Sequence, residues 1–214
     1  SFIASSNCML YERAKPVFCD IDEETLTIDP SRIEEKITEK TKAILGVDVF
    51  GHPADWDAIL SIAKKHDLKV IEDSAEALGS EYKGKKCGSF GNASIFSFYP
   101  NKQMTTGEGG VALTDDKELA EFFESMINQG RKPVGGKWLE HIRLGFNYRL
   151  PEMSCALGLA QLSRIKEILE KRERGERVVA SLLALEGLHP LENNRQNLKA
   201  LFNAGYRMMG LTHF

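Results

Sequence analysis

Through its first two thirds the chain switches between two hydrophobic periods. Residues 16–22, Pro-Val-Phe-Cys-Asp-Ile-Asp, are largely apolar and run into an acidic turn, which predicts a strand. Asp29 then reads as an N-cap with Pro30 at the first helical position, and Ile33 and Ile37 recur on one face, which predicts a helix. A second strand is expected over 42–49. A helix follows over about 55–66, with Trp56, Ile59, Leu60 and Ala63 on one face, and then a third strand at 69–72. Strand, helix, strand, helix, strand is the rhythm of an α/β layer with parallel strands, in which chemistry collects at the carboxyl ends of the strands. Asp73 sits at such an end. Residues 2–10 are short and mixed, and 191–214 show no clear period, so neither stretch predicts an element.

The chain is organised around 96–110. An apolar run at 93–98 feeds a Tyr99-Pro100-Asn101 turn, Lys102 follows on that turn, and a glycine-rich return leads into the apolar run 111–113. A lysine held at the mouth of a sheet is suited to imine formation with a carbonyl cofactor, which requires a rigid and partly desolvated amine. Ser97, five residues earlier, is placed to hold a phosphate. Beyond this loop the pattern predicts an amphipathic helix over 115–128 and a polar, glycine-containing connection over 129–145, expected to be mobile. From Pro151 a long helix is predicted, with Met153, Leu157, Leu159, Leu162, Ile165 and Leu169 on a broad apolar face. The charged run 166–177 reads as a solvated helix face.

Composition narrows the class of partner. The 214 residues are 42% hydrophobic and 28% charged, ordinary for a protein with one substantial core. The net charge of -3 offers no basic stripe for nucleic acid, and no apolar run is long enough to cross a bilayer, so neither partner is expected. The four cysteines are scattered and the five histidines do not join them at zinc-ligand spacing, so no metal site is expected and reduced thiols in a cytoplasm are the economical reading. The chain begins at Ser1 rather than Met, as a fragment would.

Pyridoxal phosphate needs a lysine for its imine, an acid at the pyridine nitrogen, donors for its phosphate and an aromatic ring to stack on. Lys102, Asp73, Ser97 and Phe2 match those needs in number and in order. Residues 96–110, with 72–79 and 145–149, resemble the DegT-type sugar-nucleotide aminotransferases, fold-type I pyridoxal-phosphate enzymes; the similarity runs from about Phe2 to near Arg177. The resemblance implies an α/β fold, three-layer α/β/α with a mostly parallel mixed sheet of the aspartate-aminotransferase type. It makes Lys102 the imine lysine, Asp73 the partner of the pyridine nitrogen, Ser97 a phosphate ligand and Phe2 the stacking aromatic. Glu76 stands near the cofactor's phenolic oxygen, and Asn147 matches an amide that reaches the phosphate of the neighbouring subunit in a homodimer with shared active sites. Arg149 is a further candidate at that subunit-crossing site, for binding substrate. Residues 1–150 would then be the large cofactor domain without its N-terminal part, 151–190 a helix leading towards a small C-terminal domain, and 191–214 unassigned, with that domain largely absent.

The reaction implied is transamination from L-glutamate to a keto sugar on a nucleoside diphosphate, giving an amino sugar for surface polysaccharide or related glycans. Glu76 together with Pro100-Asn101-Lys102 resembles the perosamine-synthase branch. A sister type that dehydrates sugars has a histidine in place of the lysine, and Lys102 argues against it. The alternative is a non-catalytic, regulatory or degenerate fragment of the same fold.

Overall fold

The computed structural model describes residues 2–133 and 135–174, together with the backbone of two short strands at 184–186 and 208–210. The chain divides into two units, Ser1–Lys166 and Glu167–Phe214.

The first unit is built on a four-stranded sheet. Its strands β1 (Ala43–Val47), β2 (Lys69–Asp73) and β5 (Ala93–Ser97) are parallel neighbours in that order, and β6 (Gly110–Leu113) returns antiparallel to β5. Between β2 and β5 a small hairpin, β3 (Glu81–Tyr82) with β4 (Lys85–Lys86), forms a sheet of its own. The parallel register pairs Val47 with Asp73 and Asp73 with Ile95, so the carboxyl ends of three strands lie side by side. That edge is where an α/β sheet exposes unpaired backbone groups and loop side chains.

Helix α2 (Trp56–Lys65) forms where its pattern requires: the Asp55 carboxylate caps it by accepting from Ala58 N–H at 3.2 Å, and its apolar face carries Trp56, Ile59 and Ala63 into the core. There they meet Ile33, Ile44, Ala54 and Val70. Trp56 has no exposed surface and stacks on Phe90 with the rings nearly parallel at 5.7 Å. Its indole lies flat against β1 because residue 46 is glycine: a Cβ there would stand 2.7 Å from Trp56 Cη2. Helix α3 (Lys117–Ile127) is likewise capped, by Asp116 accepting from Glu118 and Leu119 N–H.

Several expected elements differ. Residues 16–22 make no strand; only Ile21 bridges to Ile28 across a tight acidic turn, so apolar composition there does not find a sheet partner. The helix expected from Asp29 is two 3-10 turns, Pro30–Arg32 and Glu34–Lys36: Asp29 caps Ser31, but Ile33 alone is fully buried, and Ile37, partly buried against the core, already has extended backbone, so the apolar face is too short to hold a full helix. Residues 2–10, without a predicted element, hold most of α1 (Ala4–Tyr11), whose apolar residues spread round its circumference and give no periodic signal. Within the connection 129–145, Ile142 N–H donates to Gly130 O at 2.8 Å and Lys132 N–H to Glu140 O at 3.0 Å. The helical pattern from Pro151 breaks at Ser163-Arg164 into α4 (Glu152–Leu162) and α5 (Ile165–Glu173). In the second unit, β7 (Ala184–Glu186) and β8 (Met208–Gly210) pair in parallel; the rest of 175–214 lies outside the described residues, as do the expectations placed there.

Because Trp56 cannot withdraw from β1, Gly46→Ala should destabilise the chain by about 1–3 kcal/mol through overpacking, read as a lower urea midpoint with unchanged slope.

Candidate active site

Strand β5 ends at Ser97, and the chain turns back to β6 through a loop closed by its own backbone. Phe98 N–H donates to Gly109 O at 2.8 Å, and Phe98 O accepts from Thr106 N–H at 3.0 Å and from the Thr105 hydroxyl at 2.9 Å. Met104 and Thr106 are buried beneath, and Gln161 of α4 accepts from Thr105 N–H at 2.9 Å. Gly109 has φ +149, and a Cβ there would meet Thr106 Oγ1 at 2.6 Å and Leu150 Cδ1 at 2.7 Å, so the closure needs glycine. On this frame Lys102 N–H donates to Tyr99 O at 3.0 Å, and the Lys102 side chain is only 16% exposed.

The Lys102 ammonium lies 3.2 Å from Glu76 Oε1. Glu76 Oε2 accepts from Phe50 N–H at 2.9 Å, and the Gln103 amide donates to Glu76 O. One carboxylate therefore ties the lysine loop to the segment that follows β1. Phe50 reaches it only by adopting a left-handed backbone, φ 56 and ψ 19, which is costly for a residue with a side chain.

Asp73 closes β2 and is 9% exposed. Its Oδ1 accepts from Ala75 N–H at 3.1 Å, and its Oδ2 accepts from the Ser5 hydroxyl at 2.6 Å. That contact spans 68 residues of sequence and brings α1 against the sheet edge; Phe2, just before α1, keeps its ring exposed. Ser97 Oγ accepts from Tyr99 N–H at 3.3 Å, and among the described residues its own proton is donated to none.

Asn147 and Arg149 are held by a different set of contacts. The Asn147 backbone bridges to Asn128 at the end of α3, and Arg149 Nη1 donates to Asn128 Oδ1 at 2.6 Å and to Gln129 Oε1 at 2.9 Å. Phe146 and Tyr148, on either side of Asn147, stack at 4.8 Å and stay exposed. Four of the seven residues singled out from sequence thus converge on the carboxyl ends of β2 and β5: Asp73, Glu76, Ser97 and Lys102. Sequence reading missed Ser5, Phe50 and Gln103; their partners are distant in the chain, and only the Ser-rich start of α1 offered any hint of a donor.

A family model described as the DegT/DnrJ/EryC1/StrS aminotransferase family matches residues 1–209. The chain belongs to that family. Its members are pyridoxal-phosphate-dependent sugar aminotransferases of the fold-type I class, and the mostly parallel mixed sheet described above agrees with that class. The chain is 43% identical over 201 residues to GDP-perosamine synthase of Caulobacter vibrioides, covering 88% of this chain and 54% of that protein. Among solved structures, Helicobacter pylori PseC, an aminotransferase involved in the biosynthesis of pseudoaminic acid, is 39% identical with a TM-score of 0.75, covering 81% of this chain and 47% of PseC. DesI in the presence of its TDP-sugar product is 33% identical with a TM-score of 0.75, covering 81% of this chain and 43% of DesI. The chain spans about half the length of the relatives it matches.

The left-handed backbone at Phe50 generates a direct test. Phe50→Gly keeps the N–H that Glu76 accepts and removes the steric cost, so stability should stay equal or rise by up to about 1 kcal/mol, whereas β-branched Phe50→Val should cost about 1–2 kcal/mol, both by urea denaturation.

Proposed function

We propose that this chain carries the cofactor-binding part of a pyridoxal-phosphate-dependent aminotransferase that moves an amino group from L-glutamate to a keto sugar attached to a nucleoside diphosphate. The observation that carries this reading is the convergence of an enclosed lysine, a two-acceptor aspartate and a serine whose proton no described residue accepts, on adjoining parallel strand ends. Those donors and acceptors fit the cofactor. Asp73, an acceptor fixed by Ser5 and Ala75, suits a protonated ring nitrogen; Ser97 has a proton to donate to a phosphate; and Lys102 Nζ would hold the carbonyl carbon. Phe2 would cover a ring face, Glu76 would lie towards the phenolic oxygen, and residues 1–150 would form the domain that holds the group.

When bound, pyridoxal phosphate supplies a carbonyl that accepts the amino group and a cationic ring that takes up the electron pair released at the donor's α-carbon. The chain's own residues do the rest. Lys102 Nζ, in its uncharged amine form, would take the proton from the α-carbon of the amino donor, as a general base positioned by its loop. Glu76 keeps that amine oriented through its second oxygen's bond to Phe50 N–H. Asp73 stays an acceptor throughout, so that the charge opposite it is stabilised without reorganisation.

A glycan-building role and a perosamine-synthase-like branch are in keeping with the similarity to GDP-perosamine synthase and to a spore coat polysaccharide biosynthesis protein of Bacillus subtilis, and with Glu76 before Lys102. The exposed Phe146–Tyr148 stack around Asn147 supports a homodimer in which Asn147 serves the neighbouring subunit's phosphate and Arg149 its substrate.

Borohydride reduction of the chain with pyridoxal phosphate should fix the cofactor on Lys102, located by peptide mapping, and Lys102→Ala should abolish the adduct. An adduct on another lysine sinks the assignment. Shared sites are tested by mixing: inactive Lys102→Ala and Asn147→Ala forms of the active full-length protein should regain activity in mixed dimers, since one site of each mixed dimer then carries neither defect. Mixed dimers that form and stay inactive would place Asn147 in its own subunit's site.

A further inference from the structure

Directly behind Asp73, on the opposite face of β2, lies a polar group that the proposed reaction does not use. Asp48, Glu72 and Ser74 have no exposed surface, so contacts within the protein must satisfy them. Ser74 has one hydroxyl proton, yet its Oγ lies 2.6 Å from Asp48 Oδ2 and 2.9 Å from Glu72 Oε1. Both are hydrogen-bond distances, and one hydroxyl proton serves only one of them. The other contact needs a proton on a carboxyl group.

The surrounding N–H groups decide where that proton sits. Glu72 receives one on each oxygen, from Gly88 on Oε1 and from Phe90 on Oε2 at 2.8 Å. Asp48 receives both of its own on Oδ1, from Ala54 at 3.0 Å and from the Trp56 indole at 3.0 Å. The O–H oxygen of a carboxylic acid is a poor acceptor, so the oxygen that meets no N–H is the one to carry the proton. We propose that Asp48 is held as a neutral acid whose Oδ2–H donates to Ser74, that Ser74 donates to ionised Glu72, and that this one-proton chain positions the backbone of Asp73. The linkage to Asp73 is direct: Glu72 and Ser74 flank it, and Asp48 N–H donates to Asp73 O at 3.0 Å. Asp48, Ser74 and Glu72 are therefore positioning residues, whatever the reaction at the other face.

Among the described residues Cys87 also faces Asp48; burial and the two carboxyls push its thiol well up, leaving it neutral. Burial, with the Glu72 charge adding to it, raises Asp48 to about 6 against the opposing effect of its hydrogen bonds to Ser74, Ala54 and Trp56. Ligand atoms of Asp48, Glu72 and Cys87 lie within 4.8 Å of one another, but a cation there would face the four N–H groups already aimed at the carboxyls, so the donor set favours a proton over a metal.

The sign follows from the raised value. A group that binds its proton more tightly folded than unfolded contributes stability that is complete below its unfolded value of 3.8 and is lost as pH rises through about 6. Asparagine reproduces the neutral acid, with its carbonyl accepting from Ala54 and Trp56 and its NH₂ donating to Ser74; glutamine at 72 would turn an NH₂ against an N–H donor. Two measurements on the whole chain test the proposal. In protein labelled with carbon-13 at aspartate carboxyls, one NMR resonance should titrate near pH 6 and be missing from Asp48→Asn. Between pH 4 and pH 8 the folding equilibrium of the parent, relative to Asp48→Asn, should fall on the order of a hundredfold, while Glu72→Gln is destabilised at every pH. All aspartates titrating below pH 5, Asp48→Asn failing to fold, or Glu72→Gln proving the better tolerated of the two would each overturn it.

Discussion

The parallel register of β1, β2 and β5 is the constraint on which the rest depends. Val47 faces Asp73 and Asp73 faces Ile95, so three chain segments leave the sheet side by side at one edge. Crossovers between parallel strands must travel back over the sheet, which puts α2 on one face and leaves the carboxyl-end loops free to converge. Lys102, Glu76, Phe50 and Asp73 come together for that reason although they are spread over more than fifty residues of sequence. A slip of one residue in β2 would turn Asp73 to the core face and Glu72 to the site, exchanging two acids with opposite requirements.

Much of this was legible because the signals are local. The apolar faces of 55–66 and 115–128 mark the helices found there, and the turn chemistry of 99–110 places Lys102 where a loop returns to the sheet. Asp73 was legible from its position after an apolar run. What failed was periodicity without a partner: residues 16–22 have the composition of a strand but pair with no strand of the sheet, and the Asp29 cap starts a helix with too little apolar face to continue it. What was missed lies far apart in sequence. No pattern links Ser5 to Asp73 or Phe50 to Glu76, since each is one donor meeting one carboxylate through the tertiary fold.

Strain and burial are distributed in a consistent way about the edge. The left-handed Phe50 is offset by a charge-assisted hydrogen bond to Glu76, the kind of bond worth more than a neutral one. The glycine at 109 removes a collision that any side chain would bring to the lysine loop. Beneath these, Trp56, Phe90 and the β1–α2 contact supply the apolar burial that holds the edge in place, so the site rests on a core built by nearest neighbours in the sheet.

The two adjacent acids of β2 show how a strand sends neighbouring side chains into different surroundings. Successive side chains point to opposite faces, so Glu72 shares the core face with Val70 while Asp73 faces Ser5. A carboxylate offers about four lone-pair sites. Glu72 spends its capacity inside the protein, on Gly88, Phe90 and Ser74, and is thereby fixed as structure. Among the described residues Asp73 has two donors, Ser5 and Ala75, which are enough to orient it and leave acceptor capacity unspent by them. An acid that is oriented by its own chain yet still able to accept is the one of the pair that a cationic ligand can use, and the difference between them is set by one step along the strand.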